Sequence, residues 1–243
     1  MSSTDIAALI AALERRDTLS ADEHAALAAL SWRERTFAAD ECIIQAQSRP
    51  TESCLLLDGI AVRSDLLNDG RRQISAIHVV GDFLDLHGLL LRVMDHSVTA
   101  LTPCRVAFVE HGAVKRLADE HSHLGRLLFT LIAIDAAIQR SWIVCLGRRN
   151  PVRHLAHLVC ELYLRFDVVG RVQDGGFDFP ATQEELSDML GLSVVHTNRT
   201  VQQLRATGLV SWRNPRIDVV DWNGLKTLAD FDPTYLSLVE ERR

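Results

Sequence analysis

The stretch Thr182–Val210, TQEELSDMLGLSVVHTNRTVQQLRATGLV, decides how the rest of the chain is read. Thr182 stands as an N-cap with Glu185 three residues on, the spacing of a capping box that opens a helix over Gln183–Leu190. Gly191 then allows a turn too tight for a residue with a Cβ, and Ser193 caps a second helix over Val194–Thr207. Helical spacing buries Thr197, Val201 and Leu204 and exposes Val194, Val195, His196, Asn198 and Arg199. Two short helices joined by about four residues are helix-turn-helix arithmetic, in which the exposed face of the second helix enters a major groove. An ordinary αα-hairpin with a solvated basic face has the same spacing.

Charge sharpens this reading. The 243-residue chain carries 26 Lys+Arg against 32 Asp+Glu, a net charge of −6, yet residues 193–217 hold Arg199, Arg205, Arg213 and Arg216 and no acidic residue. A positive island in an acidic chain suits a local nucleic-acid surface. With 47% hydrophobic residues and few Gly and Pro, the chain reads as globular, which excludes disorder and repeat fibres. Five cysteines without a C-x-x-C pair point to a reducing compartment and structural thiols. The N-terminus has no basic n-region, with Asp5 opening a helix, and the most apolar stretch, Leu127–Ile138, is interrupted by Asp135, so a cytoplasmic protein without a membrane span is expected.

Upstream, two short helices (5–16 and 20–30) precede short apolar runs such as Cys54–Leu57, Ile74–Val80 and Val106–Val109, punctuated by Asp58-Gly59, Asn68-Asp69-Gly70 and Gly81-Asp82. Such regular punctuation predicts an antiparallel barrel or jelly roll. A long helix follows from Gly112 to about Leu146, with a stripe at Leu127, Leu131, Ile134 and Ile138 that reads as a dimer seam, or as a helix buried on two sides within one subunit. Asn150 and Pro151 restart a helix and mark a boundary. The expected architecture is α+β: a jelly-roll sensor domain over 1–113, a dimerisation helix over 114–147, and a winged helix-turn-helix domain over 148–243.

With GDFLDLHGLL (81–90) and DHSVTAL (95–101) in the jelly roll, and the helix-turn-helix and wing after the long helix, nearly the whole chain resembles the Crp/Fnr superfamily of bacterial transcription regulators. The resemblance implies a homodimer on a near-palindromic double-stranded DNA site, and contact with RNA polymerase if it activates. By position, Thr182 and Gln183 would contact DNA, and Ser193 and His196 its backbone side. Arg199 would read a base, with Val194, Val195 and Asn198 as groove-facing neighbours. Arg213 and Arg216, flanking Asn214-Pro215 at the wing tip, would meet phosphates. Val194 and Val195 depart from the family's glutamate-containing pair, which removes an acceptor for a cytosine amino group.

The effector pocket implied by the resemblance comprises Asp85, Leu86, His87, His96, Ser97 and Thr99. The family's ribose-binding Gly-Glu pair reads Asp85-Leu86 here and its phosphate-binding Arg-Ser pair reads His96-Ser97, so cyclic AMP is not expected as a ligand. An iron–sulfur cluster is not expected either, because no cysteine precedes Cys42. Haem would need an axial ligand from His78, His87 or His96, and a lone barrel histidine is more often structural. The group Glu120-His121-Ser122-His123 reads as a capping region, since His-x-His on a helix does not share a face. The expectation is therefore no cofactor, no metal and, without a Walker loop, G-x-S-x-G or H-E-x-x-H, no catalytic residues. The rival reading is a ligand-sensing or signalling module whose C-terminal helices bind a protein.

Overall fold

A computed structural model describes residues 6–213 and 215–238. Asp5, expected to open the first helix, and Asn214 of the wing tip lie outside them. The chain packs as two compact units, the first holding residues up to 65 and 76–136, the second residues 66–75 and 137–236.

The first unit opens with α1 (Ala7–Glu14) and α2 (Ala21–Ala29), the latter capped by the expected Ser20–Glu23 box. Seven strands follow: β1 (Arg33–Phe37), β2 (Cys42–Ile44), β3 (Glu52–Asp58), β4 (Ala61–Leu66), β5 (Arg72–His78), β6 (Ser97–Ala100) and β7 (Cys104–Glu110). They form two sheets, ordered β1-β7-β3 and β2-β6-β4-β5, whose pairings are antiparallel where the register is defined. Inward-pointing Phe37, Leu56, Val98, Val106 and Phe108 fill the space between them, as expected of a jelly roll. A 3-10 turn, Leu86–Leu89, interrupts the β5–β6 connection.

The long helix is two helices: α3 (His111–Glu120) ends at His121, whose φ of −121° and ψ of 82° are not helical, and α4 runs from Ser122 to Arg148. His123 does not act as a solvated cap, for its Nδ1 lies 2.7 Å from Glu23 and its Nε2 3.4 Å from Asp17. By length and composition α4 could cross a membrane. It does not read as a span, because Leu124, Leu127 and Leu128 pack into the first unit's core and Asp135 pairs with Arg63.

The expected seam needs correction. Leu127 and Leu131 join the core that holds Leu9, Leu13 and Leu27, and Ile134 and Ile138 are buried as well. The stripe is consumed within a single chain. Two residues further round, a turn of about 200°, the exposed positions Phe129, Ala133, Ala136, Arg140 and Ile143 follow the same four-three spacing. Phe129 and Ile143 are 58% and 68% exposed.

The second unit continues with α5 (Pro151–Val168), capped by Asn150 with Pro151 in its first turn as expected. Next come β8 (Gly176–Asp178), α6 (Gln183–Leu190), α7 (Val194–Ala206), β9 (Val210–Arg213) and β10 (Arg216–Val219), with the strands ordered β8-β10-β9. The sequence reading stopped near Val220, but α8 (Trp222–Ala229) follows and packs on α5.

A buried polar network fixes α5. Glu161, with no exposed surface, accepts from Trp142 Nε1 (3.1 Å), Tyr235 Oη (2.8 Å) and Arg165 Nη1 (3.2 Å). The Arg149 guanidinium donates to His157 Nδ1 at 2.8 Å, which leaves the His157 proton on Nε2, 3.0 Å from both Ser141 Oγ and Tyr235 Oη. Burial, then the Arg149 charge, hold His157 down at about 3 and His154 at about 4.

Candidate nucleic-acid interface

Local chemistry builds the helix pair. Thr182 Oγ1 accepts from Glu185 N, and Glu185 Oε2 accepts from Thr182 N at 2.6 Å, closing the capping box. Gly191 ends α6 at φ +64°, a left-handed conformation that favours glycine. Ser193 Oγ accepts from His196 N at 3.3 Å and starts α7. Leu186, Met189 and Leu190 of α6 and Thr197, Val201 and Leu204 of α7 are buried between the helices and their neighbours. Thr200 is buried too, its hydroxyl returned to the His196 carbonyl.

The outer face of α7 is as expected: Val194, Val195, His196, Asn198 and Arg199 are all exposed, with Val195 at 74%. Thr182 and Ser193 sit exposed at the two helix starts, and Gln183 is half-buried. Arg199 has no ion-pair partner among the described residues. Of Glu184 and Asp188, carboxylates of α6 that could have tied it to that helix, Asp188 is taken by Arg72 Nε at 2.8 Å, while Gln73 Nε2 donates to the Asp188 carbonyl at 2.7 Å. No sequence feature pointed to Arg72 and Gln73, which reach the motif from the hairpin 66–75.

The wing departs from expectation. Arg213 is exposed at the end of β9. Arg216 is not a free cation: its Nε lies 2.8 Å from Asp218 Oδ1, its Nη2 donates to the Gln173 carbonyl, and Asp218 holds its guanidinium even more firmly protonated. The sequence reading missed this because Asp218, two residues on, lies on the same face of β10.

In the first unit the six expected pocket residues do different things. Asp85 is fully buried and accepts from Cys54 N at 2.7 Å; burial raises its carboxyl to about 7. Leu86 is a core residue with Val109, Val114 and Leu128. Ser97 Oγ accepts from Ala46 N at 3.1 Å, and Thr99 sits in the β6 ladder opposite Cys42 and Val62. His87 and His96 do come together, ring centroids 5.1 Å apart, and burial keeps both below the ordinary imidazole range, His87 at about 4. Two residues were overlooked: Arg63, 8% exposed on β4, and Asp135 on α4, joined by a bidentate pair at 3.0–3.2 Å. A lone arginine in the run AVRSDL and a lone aspartate in an apolar helix were the signals that could have found them.

Comparison with known proteins agrees with this layout. Residues 34–121 match the cyclic nucleotide-binding domain and residues 153–228 the Crp-like helix-turn-helix domain. The chain is 27% identical over 191 residues to the transcriptional activator protein FnrL of Cereibacter sphaeroides, covering 76% of this chain and 75% of the relative. It is 27% identical over 195 residues to the nitrogen fixation regulation protein FixK of Bradyrhizobium diazoefficiens, covering 79% and 80%. The solved structure of FixK2 from Bradyrhizobium japonicum superposes with a TM-score of 0.71 at 23% identity, over 82% of this chain and 98% of that one.

Proposed function

The chain belongs to the Crp/Fnr family of transcription regulators, DNA-binding proteins rather than enzymes, and on that premise we propose that it is a cytoplasmic homodimer reading a near-palindromic operator through α7. In this reading Arg199 donates twice to guanine O6 and N7, Val194, Val195 and Asn198 line the groove, and Thr182, Gln183, Ser193 and His196 meet the DNA backbone. Arg213 contributes a phosphate contact from the wing; Arg216 is left out because Asp218 holds it. The dimer forms along Phe129, Ala133, Ala136, Arg140 and Ile143, a stripe whose large apolar members Phe129 and Ile143 would otherwise stay wet. If the regulator activates, its partner on the promoter is RNA polymerase.

The observation that carries the reading is the exposed Arg199, without an ion-pair partner among the described residues, on a helix whose opposite face is buried. Cyclic AMP is not its effector in this reading: Leu86, at the ribose-carboxylate position, is a core side chain, and His96, at the phosphate position, is kept neutral by burial. Selection of bound DNA from random duplexes tests the proposal. The expected product is two inverted half-sites about one helical turn apart. Enrichment no better than random would leave the protein-binding alternative standing.

A further inference from the structure

The pair His87 and His96 does more than touch. His87 comes from the 3-10 turn 86–89, while Asp95 and His96 end the connecting loop, His96 immediately before β6. One ligand atom from each of the three lies within 4.8 Å of the others. His96 Nδ1 is 2.7 Å from Asp95 Oδ1, which turns Nε2 of that ring the other way. His96 is 94% buried, its relative exposure being 6%, and its Nε2 has no hydrogen-bond partner; the buried Nε2 of His87 has none either. Two unpaired acceptors or donors buried side by side are costly, and neighbours that could satisfy them are absent among the described residues.

We propose that His87, His96 and Asp95 form a binding site for a divalent first-row transition metal of the Zn²⁺ class. Two imidazoles and a carboxylate are a borderline donor set, suited to Zn²⁺, Co²⁺ or Fe²⁺ rather than to Mg²⁺ or Ca²⁺. Tetrahedral ligands at about 2.1 Å from an ion stand roughly 3.4 Å apart, so the spread among the three closes by little more than an ångström, and the exposed Asp95 carboxylate exchanges its contact with His96 Nδ1 for the ion. Residues 91–96 carry no regular structure that would resist this. Asp95, 77% exposed at its side chain, opens the site to solvent and gives the ion an entry path. The nearby charges oppose one another: the Arg63 guanidinium disfavours positive charge at both rings, while its partner Asp135 favours it at His87, Asp65 at His96, and Asp95 at both. Three protein ligands leave one position for water or a small molecule, the arrangement of an open site rather than a closed structural one. The sequence reading found no metal site because neither histidine has a partner at ligand spacing along the chain; the loop brings them together.

The test is metal uptake by the chelator-treated full-length protein and does not depend on DNA binding. One Co²⁺ per chain is expected, with the visible d–d absorption of a four-coordinate ion, displaced by Zn²⁺ with micromolar or tighter affinity. His87→Ala and His96→Gln should each abolish the absorption, and Asp95→Asn should weaken binding by about 10- to 100-fold. His121→Ala with His123→Ala should leave it intact. Circular dichroism checks that each variant folds; if His96→Gln does not, half-buried His87 still decides. Absence of stoichiometric Co²⁺ or Zn²⁺ binding, or binding that survives His87→Ala, would overturn the proposal and leave the regulator reading untouched.

Discussion

Two arginines show how differently the two units use the same group. Arg199 stands on the outer face of α7, exposed and without an ion-pair partner among the described residues; Arg63 is 8% exposed on β4 and clamped by both oxygens of Asp135. A guanidinium left hydrated keeps its planar fork available for a base edge or phosphate at little desolvation cost, whereas one taken from water needs a carboxylate to survive burial. The second unit presents Arg199 outward, to a ligand as large as DNA, whereas the first keeps Arg63 inside, paired with Asp135.

The contrast between outward and inward faces breaks most visibly on α4. Phe129→Glu with Ile143→Glu should yield monomers by light scattering and reduce operator binding to the non-specific level, a loss of about a thousandfold or more. Leu131→Glu with Ile138→Glu strikes the inward face and should instead lower the melting temperature. A dimer that persists with the first pair, or a stable monomer with the second, would exchange the roles of the two faces.

Buried imidazoles in the second unit give the next effect. His157 and His154 titrate at about 3 and 4 when folded and near 6.5 when unfolded. Between these values the unfolded chain binds more protons, so stability is unaffected above pH 6.5 and falls as pH drops toward 4. The loss should be on the order of 3 kcal/mol for each ring by pH 4. A second proton on His157 would also set an Nδ1–H against the Arg149 guanidinium. Urea titrations at pH 7, 5.5 and 4 should show a shallower acid limb for His157→Gln than for the parent. Identical slopes would mean that the network relaxes around the charged ring.

Arg199→Ala should cost about 1–3 kcal/mol per half-site and relax preference at one base pair, without changing the melting temperature. Single-base operator variants measure this. A uniform loss with a lower melting temperature would make Arg199 a scaffold residue and move the search for a base reader to Val195, His196 and Asn198.

What could be read from the sequence follows from how local the determining physics is. Thr182, Glu185, Gly191 and Ser193 lie within twelve positions and act through caps and one turn, so the helix pair was legible to within a residue. Strand β1, RERTF, was not: four of its five residues are exposed and it carries no apolar alternation. Helix α8 was missed because its eight residues include Gly224. The seam on α4 was misplaced because the helix is apolar on two sides, and only packing tells which side the chain itself covers. The sensor interior was the least legible, since Arg63 and Asp135 meet across 72 positions of sequence.

The smallest effect lies on the wing and separates two cations that sequence alone could not rank. Each phosphate neutralised releases condensed counterions, so removing one such contact flattens the salt dependence of binding by about one unit of slope. Arg213 is exposed, and no ion-pair partner occurs among the described residues, so Arg213→Ala should give that change and weaken all sequences alike. Arg216 spends its Nε on Asp218 and its Nη2 on the Gln173 carbonyl, and the pair carries no net charge toward DNA. Arg216→Ala should therefore leave the slope unchanged. It should instead lower stability only slightly, because the pair is partly exposed and water screens it. Asp218→Ala then sharpens the comparison: it frees the Arg216 guanidinium and should steepen the slope by about one unit. A slope that falls with Arg216→Ala in the parent chain would show that DNA strips Arg216 from Asp218 on binding.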